Sequence, residues 1–365
     1  MRKVVGDVGR VLNVIPSSSG GGAERVVRTL TRAMQSKSVC CETLYFSANS
    51  EDDLLGFEHS LGVSYKNPLI IFALRKFIKS RMGAGGLIVH AHLTWGLYYV
   101  FFASLFLPVR LVYTEHSTYN SRRKYWVFRF FDRLVYSRFD RVVCISEGVR
   151  QSLLSWIGPK FDTKLFLILN GADIYEYRAR KLDASRLPSF VSIGSLNPHK
   201  GFQLAIEALA DISAEFSSYS IFGEGAYRES LERLIVHSGL QGKVHLMGWT
   251  DDVEKALHGG DIQLIPSVWE GFGLTAVEGM STGLPLVISD VSGLREVVGN
   301  GKFAVLVDPA GGKAAWVSAI RELIERFRQN QERLSIEARR RALFFRNEFM
   351  VDSYFRVYST LLHNF

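Results

Sequence analysis

Ser267-Val268-Trp269-Glu270-Gly271-Phe272-Gly273-Leu274-Thr275-Ala276-Val277-Glu278 is the stretch whose reading decides the fold. It follows an apolar run, Asp261-Ile262-Gln263-Leu264-Ile265-Pro266, and leads into a helical pattern that stops at Gly283. It therefore reads as a buried strand, a glycine-bearing loop and a helix start. Glu270 and Glu278 are eight positions apart. Within one helix, eight residues turn about 800°, roughly 80° off a common face. With Glu270 in the loop and Glu278 one turn inside the helix, both carboxylates reach a ligand lying across the helix N-terminus. Gly271 and Gly273 let the backbone approach it. The N–H groups of the first turn, near Leu274 and Thr275, favour phosphate. Such a ligand has hydroxyls at both ends and phosphates between them, as a nucleotide-sugar does.

This stretch resembles the Glu-x7-Glu motif of the retaining glycosyltransferases of family 4 (glycosyl transferases group 1), which have the GT-B fold. The resemblance implies that Glu278 binds the ribose and Glu270 the donor sugar. Three further segments carry it. Pro16 to Gly22 is a glycine-rich loop between a strand, Arg10 to Ile15, and a helix opening at Ala23. Alone it is a generic phosphate-approach device, and it is not the Gly-x-Gly-x-x-Gly of a dinucleotide site. It is similar to the family's Gly-Gly-x-Glu entry, which implies that Gly21 and Gly22 face the donor phosphates and Glu24 the acceptor. Thr114-Glu115-His116-Ser117 is similar to the family's Thr-x-His-Ser segment, which places His116 by the donor's reacting carbon. Ser195 to Gly201 matches the loop that usually reads Gly-Arg-Leu and then Lys-Gly. Lys200 keeps one cation for the diphosphate, and Ser195 stands where the family usually has arginine. Gly223 matches a Gly-x-Gly turn after a strand, and Trp249 ends a strand that in the family lies by the base.

The strand–helix rhythm recurs in both halves. It predicts an α/β, GT-B fold: two Rossmann-like, doubly wound parallel-sheet domains facing a cleft. The expected N-terminal, acceptor-binding domain spans 1–175, and the nucleotide-sugar domain 188–345. Residues 176–188 form the connection, and a last helix, 346–365, packs back on the first domain as is common in GT-B proteins. Strands ending in His90, His92 and His116 bring three histidines to the carboxyl edge of the first sheet, where ligands gather in such folds. His92 is assigned to the acceptor side. The spacing of His90 and His92 suggests a metal, but no carboxylate or cysteine completes a site. With no Asp-x-Asp in the chain, no metal and no cofactor are expected. His116, Glu270 and Lys200 are the expected catalytic residues. Electrostatic stabilisation of the departing diphosphate by Lys200 and the helix N-terminus is the main catalytic effect.

The 365 residues bound the rest. Three cysteines, two of them adjacent, are neither a disulfide framework nor a zinc spacing, and imply a reducing compartment. Met1-Arg2-Lys3 is basic, but Gly6, Asp7 and Arg10 interrupt any apolar segment, so no secretory signal is read. Leu93 to Val109 is uncharged and reads as a buried helix rather than a membrane span. Residues 1–187 carry 27 Lys and Arg against 15 Asp and Glu; residues 188–365 carry 17 against 21. No nucleic-acid-binding motif accompanies the basic half. From Ser121 to Arg141 aromatics alternate with arginines, which reads as a surface-seeking helix with Arg122, Arg123 and Lys124 as its basic contacts. The expected partners are a nucleotide-sugar, UDP-sugar favoured, a lipid-linked or oligosaccharide acceptor, and an anionic membrane surface. The expected location is cytoplasmic, on the inner face of the membrane, in envelope polysaccharide or lipopolysaccharide assembly. Two rival readings are a sugar-nucleotide epimerase of the same fold and a non-catalytic glycosyltransferase-like subunit, the latter favoured by Ser195.

Overall fold

The structure, a computed structural model, describes residues 9–18, 21–37, 39–48, 50, 54–179 and 186–363. Met1-Arg2-Lys3, Ser19 and Gly20 of the first loop, and residues 180–185 of the expected connection lie outside them. The chain divides into two compact units, Met1–Gly171 with Asn347–Phe365, and Ala172–Arg346.

The first unit begins with β1 (Arg10–Ser17), α1 (Gly22–Ser36), β2 (Cys40–Ser47) and β3 (Glu58–Ser60). It continues through α2 (Ile70–Arg81), β4 (Leu87–His92), α3 (Leu93–Ala103) and β5 (Arg110–Glu115). After α4 (Val127–Arg138) come β6 (Arg141–Cys144), α5 (Glu147–Ile157) and β7 (Leu165–Leu167). The second unit runs β8 (Ser189–Ile193), α6 (Phe202–Asp211), β9 (Ser218–Phe222), α7 (Arg228–His237) and β10 (Val244–Gly248). Then follow α8 (Val253–His258), β11 (Ile262–Ile265), α9 (Leu274–Ser281), β12 (Leu286–Ser289), α10 (Ser292–Val297) and β13 (Val305–Val307). The unit closes with α11 (Gly312–Gln329) and α12 (Gln331–Ala342), and α13 (Asn347–Leu362) belongs to the first unit.

Every pairing between these strands is parallel among the described residues, with one isolated antiparallel bridge, Gly223 to Gly248. The sheet orders are β3-β2-β1-β4-β5-β6-β7 and β10-β9-β8-β11-β12-β13. Each sheet is wound outward in both directions from its first strand, so each has a switch point where ligands bind beyond the carboxyl ends of the strands. In the first unit it lies between β1 and β4, and in the second between β8 and β11. Helices cover such sheets on both faces, which explains why the strands read as continuous apolar runs. All six residues of β4 and all four of β11 are buried. Phe190, Phe216, Trp316, Ile320 and Phe327 centre the core of the second unit.

Three readings of the sequence change. The sequence of residues 47–66 is polar, follows neither period and reads as irregular, yet it contains β3, held because Glu58 is buried and bonded to Arg28 at 2.8 Å and to the Tyr45 hydroxyl at 2.9 Å. The uncharged run from Leu93 yields a helix only to Ala103; Phe106 beyond it has φ 60° and is 97% exposed. Among the described residues no helix is long and apolar enough to cross a membrane. The segment from Ser121 is a short 3-10 turn followed by α4, and its arginines are not a solvated basic face. Arg122 is 9% exposed and donates to Asp132 at 3.0 Å, while Arg123 donates to Glu115 at 2.9 Å and to Ser152 at 2.9 Å. Internal carboxylates for Arg122 and Arg123, and backbone carbonyls for Arg129 and Arg133, are what the alternating pattern concealed.

Candidate active site

The second unit assembles its site from the two loops that flank its switch point. After β8 the chain runs through Ser195 to a 3-10 turn, Pro198–Lys200, ended by Gly201 at φ 69°. A Cβ on Gly201 would lie 1.8 Å from the Pro266 carbonyl oxygen, so this loop rests directly on the end of β11. The Val268 N–H donates to the His199 carbonyl at 2.8 Å, and the His199 ring stacks on Trp269 at 4.5 Å. Together these contacts bring Lys200 Nζ to 2.6 Å from Glu270 Oε2. The Ser267 hydroxyl approaches the same oxygen at 3.4 Å. Both side chains of the pair remain about one-fifth exposed, at 19% and 18%. Burial, with Lys200 alongside, pushes the His199 imidazole below its ordinary range, so it adds no positive charge here near neutrality.

Gly273, at φ 103°, turns the chain from the Glu270 loop into α9. The helix starts without a side-chain cap, which leaves the N–H groups of Leu274 and Thr275 to an anion. Glu278 lies in the second turn and is 1% exposed. The helix is seated by Gln263, a buried polar residue inside β11 that donates to the Thr275 carbonyl at 3.0 Å. The motif reading passed over Gln263, though a glutamine in an otherwise apolar strand was the signal that could have found it. Gly271 is buried. Phe272, expected from the family resemblance among the donor-binding residues, has a side chain that is 2% exposed and packs edge-on against Phe345. Gly223, after β9, lies so close to β8 that a Cβ would sit 1.9 Å from the Gly194 carbonyl oxygen. Trp249, after β10, is 66% exposed, with its indole N–H donated to Asp251 at 2.9 Å. Ser195 is exposed, and its hydroxyl accepts from Asn197 at 3.0 Å.

In the first unit Gly21 is the N-cap of α1, and Gly22 opens the helix. The Glu24 carboxylate turns back to accept from the Gly21 N–H at 2.9 Å. Burial raises the Glu24 carboxyl above its usual range. His92 does not face a ligand as the sequence suggested: it is 0% exposed, with one ring nitrogen 3.1 Å from His116 Nε2 and the other 3.2 Å from Asn13 Oδ1. His90 is also buried, bonded to the Tyr358 hydroxyl at 2.6 Å and to Thr114 at 2.8 Å. Of the three histidines only His116 retains exposure. Burial pushes its imidazole down to about 4, and pushes those of His90 and His92 down as well. All three are neutral at physiological pH.

Residues 20–176 match the model of Glycosyltransferase Family 4, and residues 173–341 that of Glycosyl transferases group 1. The chain belongs to the group 1 glycosyltransferases. It is 30% identical over 253 residues to a glycogen synthase of Mycobacterium tuberculosis, covering 64% of this chain and 59% of that one. It is 27% identical over 198 residues to the O-antigen chain mannosyltransferase RfbU of Salmonella typhimurium, covering 54% of each. It thus spans about half the length of the curated relatives it matches. Anabaena HepE, solved in complex with UDP-glucose, superposes with a TM-score of 0.82 at 20% identity over 96% of this chain and 99% of that one. The fold of this group 1 glycosyltransferase is the GT-B α/β fold, with its two parallel, doubly wound sheets.

Proposed function

We propose that the protein is a retaining, metal-independent glycosyltransferase. It moves a hexosyl or N-acetylhexosaminyl unit from a nucleoside diphosphate sugar, a UDP-sugar first, to a lipid-linked or glycan acceptor of envelope polysaccharide or lipopolysaccharide assembly. The observation that carries this reading is the Lys200–Glu270 pair at the switch point of the second sheet, beside the uncapped start of α9. A cation and a helix N-terminus suit a diphosphate, and a carboxylate next to them suits sugar hydroxyls. Lys200 then stabilises the departing diphosphate, Glu270 and Glu278 hold hydroxyls of the sugar and ribose, and His116 binds a hydroxyl of the transferred sugar. The UDP-glucose complex of HepE and the O-antigen relative support the donor and acceptor classes.

The acceptor class also accounts for exposed aromatics of the first unit. α3 packs against both α2 and α4. Phe72 on α2, Phe106 after α3, and Trp126 and Phe130 at α4 are 71%, 97%, 71% and 60% exposed. Exposed Lys76, Lys79 and Lys124 accompany them. Aromatics with lysines suit an anionic lipid surface on which a lipid-linked acceptor resides. Trp126→Ser with Phe130→Ser should weaken binding to phosphatidylglycerol vesicles several-fold, and unchanged binding would remove the membrane part of this reading.

The donor test is a thermal-shift panel of UDP, GDP, ADP and their sugars without added metal. Ligand at about 100 times its dissociation constant adds roughly 2.7 kcal/mol. One nucleotide should stabilise the chain, and Lys200→Ala should abolish the shift. Silence across the panel would refute the donor assignment and favour the non-catalytic subunit.

A further inference from the structure

We propose that Asn13 is a positioning residue: acting through His92, it holds the proton of His116 on Nε2 and leaves Nδ1 as a hydrogen-bond acceptor for the substrate. The assignment of that acceptor to a sugar hydroxyl rests on the function proposed above; the proton arrangement rests on geometry alone.

His92 Nδ1 and His116 Nε2 face each other at 3.1 Å, so one proton serves both. Which ring supplies it depends on the other nitrogen of His92, which faces Asn13 Oδ1 at 3.2 Å. The orientation of the Asn13 amide therefore decides the whole chain. Its Nδ2 is 2.9 Å from the Thr31 hydroxyl and 3.4 Å from the Cys41 sulfur, so both N–H bonds have an acceptor. The single Thr31 proton goes to the Val27 carbonyl at 2.9 Å. The Thr31 oxygen is then left to accept from Asn13, and also from Thr43 at 2.8 Å. Turning the amide over would remove the Thr31 proton from Val27 and leave one Asn13 N–H with no acceptor. Oδ1 accordingly accepts from His92 Nε2–H. Neutral His92 has its lone pair on Nδ1, and His116 must donate to it from Nε2.

His116 Nδ1 therefore keeps its lone pair, and among the described residues it has no hydrogen-bond partner. It can accept a proton-bearing hydroxyl and cannot donate to a carboxylate or carbonyl at that position. This favours a neutral sugar over a uronic acid for the transferred unit if the contact is to the group that distinguishes them. Asn13, Thr31 and Thr43 are buried on β1, α1 and β2, so the proton arrangement is set by core residues with no substrate contact.

The test is a long-range proton–nitrogen correlation spectrum of the full chain labelled with nitrogen-15 histidine near pH 7, with His116→Asn to assign the signals. The expected pattern is a neutral His116 protonated on Nε2; a His116 protonated on Nδ1 overturns the proposal. Asn13→Leu should move His116 to a mixture of both forms. It should also lower kcat by up to about tenfold, the worth of one hydrogen bond, with nucleotide affinity unchanged. Thr31→Val, which frees the amide to turn, should give the same change in weaker form should Asn13→Leu not fold. A fall in kcat with unmoved His116 signals refutes the positioning role. The expected proton pattern with no turnover of any donor supports the proton arrangement and refutes the transferase reading instead.

Discussion

The side chains with the sharpest individual consequences are Lys200 and Gly201. Lys200 is within 2.6 Å of a carboxylate yet remains partly exposed, as suits a cation that exchanges its partner for a diphosphate. Lys200→Ala should lower kcat by at least about 100-fold, on the scale of losing a single group that stabilises developing negative charge. Steady-state kinetics with the responsive donor would measure this, and a loss confined to KM would contradict the leaving-group role. Gly201→Ala should fail for a different reason. Its φ is 69° and its Cβ would meet the Pro266 carbonyl oxygen at 1.8 Å, so the loop bearing Lys200 must move. We expect a destabilisation of about 2 kcal/mol or more, seen by urea denaturation, together with loss of nucleotide binding.

At the scale of elements, α13 is the piece whose role depends on residues far away in sequence. Tyr358 reaches His90 at 2.6 Å and Tyr354 reaches Thr114 at 3.0 Å, across 268 and 240 positions. Both tyrosines are fully buried or nearly so, at 1% and 0% exposure. Tyr358→Phe leaves His90 Nδ1 without its partner in the core, and should cost about 1–3 kcal/mol by chemical denaturation. A change within a few tenths of a kcal/mol would show that water replaces the hydroxyl. The helix itself was readable as an aromatic, amphipathic run from Phe349 to Leu362. Its hydrogen bonds to β4 and β5 were not, because no local pattern says which distant strand a tyrosine will meet. The strands around the site were legible for the opposite reason. β11 and β12 are short apolar runs bounded by turn residues, and burial on both faces of a parallel sheet requires that pattern locally.

For the molecule as a whole, the buried histidines give the first unit a pH dependence. Below the ordinary histidine range, near 6.5, an unfolded chain takes up protons that the native His90, His92 and His116 do not. Stability should therefore fall as pH drops from about 6.5 toward 4, with a slope approaching 1.4 kcal/mol per pH unit for each histidine. Above that window these groups are neutral in both states and contribute no slope. Denaturation midpoints between pH 7.5 and 5.5 would test this, and His116→Asn should flatten the slope by about one histidine's share. A flat profile would mean that the three rings gain no protons on unfolding.

The sequence by itself determined the α/β class and the strand–loop–helix segment around Glu270 and Glu278, while the place of Lys200 beside that segment was implied only by the family resemblance. The class and the segment follow from local periodicity, glycine placement and residue chemistry, which are properties of neighbouring positions. Only the tertiary structure decided which candidates face solvent. Phe272 turned into core, His92 became a buried relay, and Arg122 and Arg123 found internal carboxylates. In the α4 region Trp126 and Phe130 are exposed instead. Burial and hydrogen-bond partnership are set by side chains brought together from distant positions, and a one-dimensional pattern does not contain them.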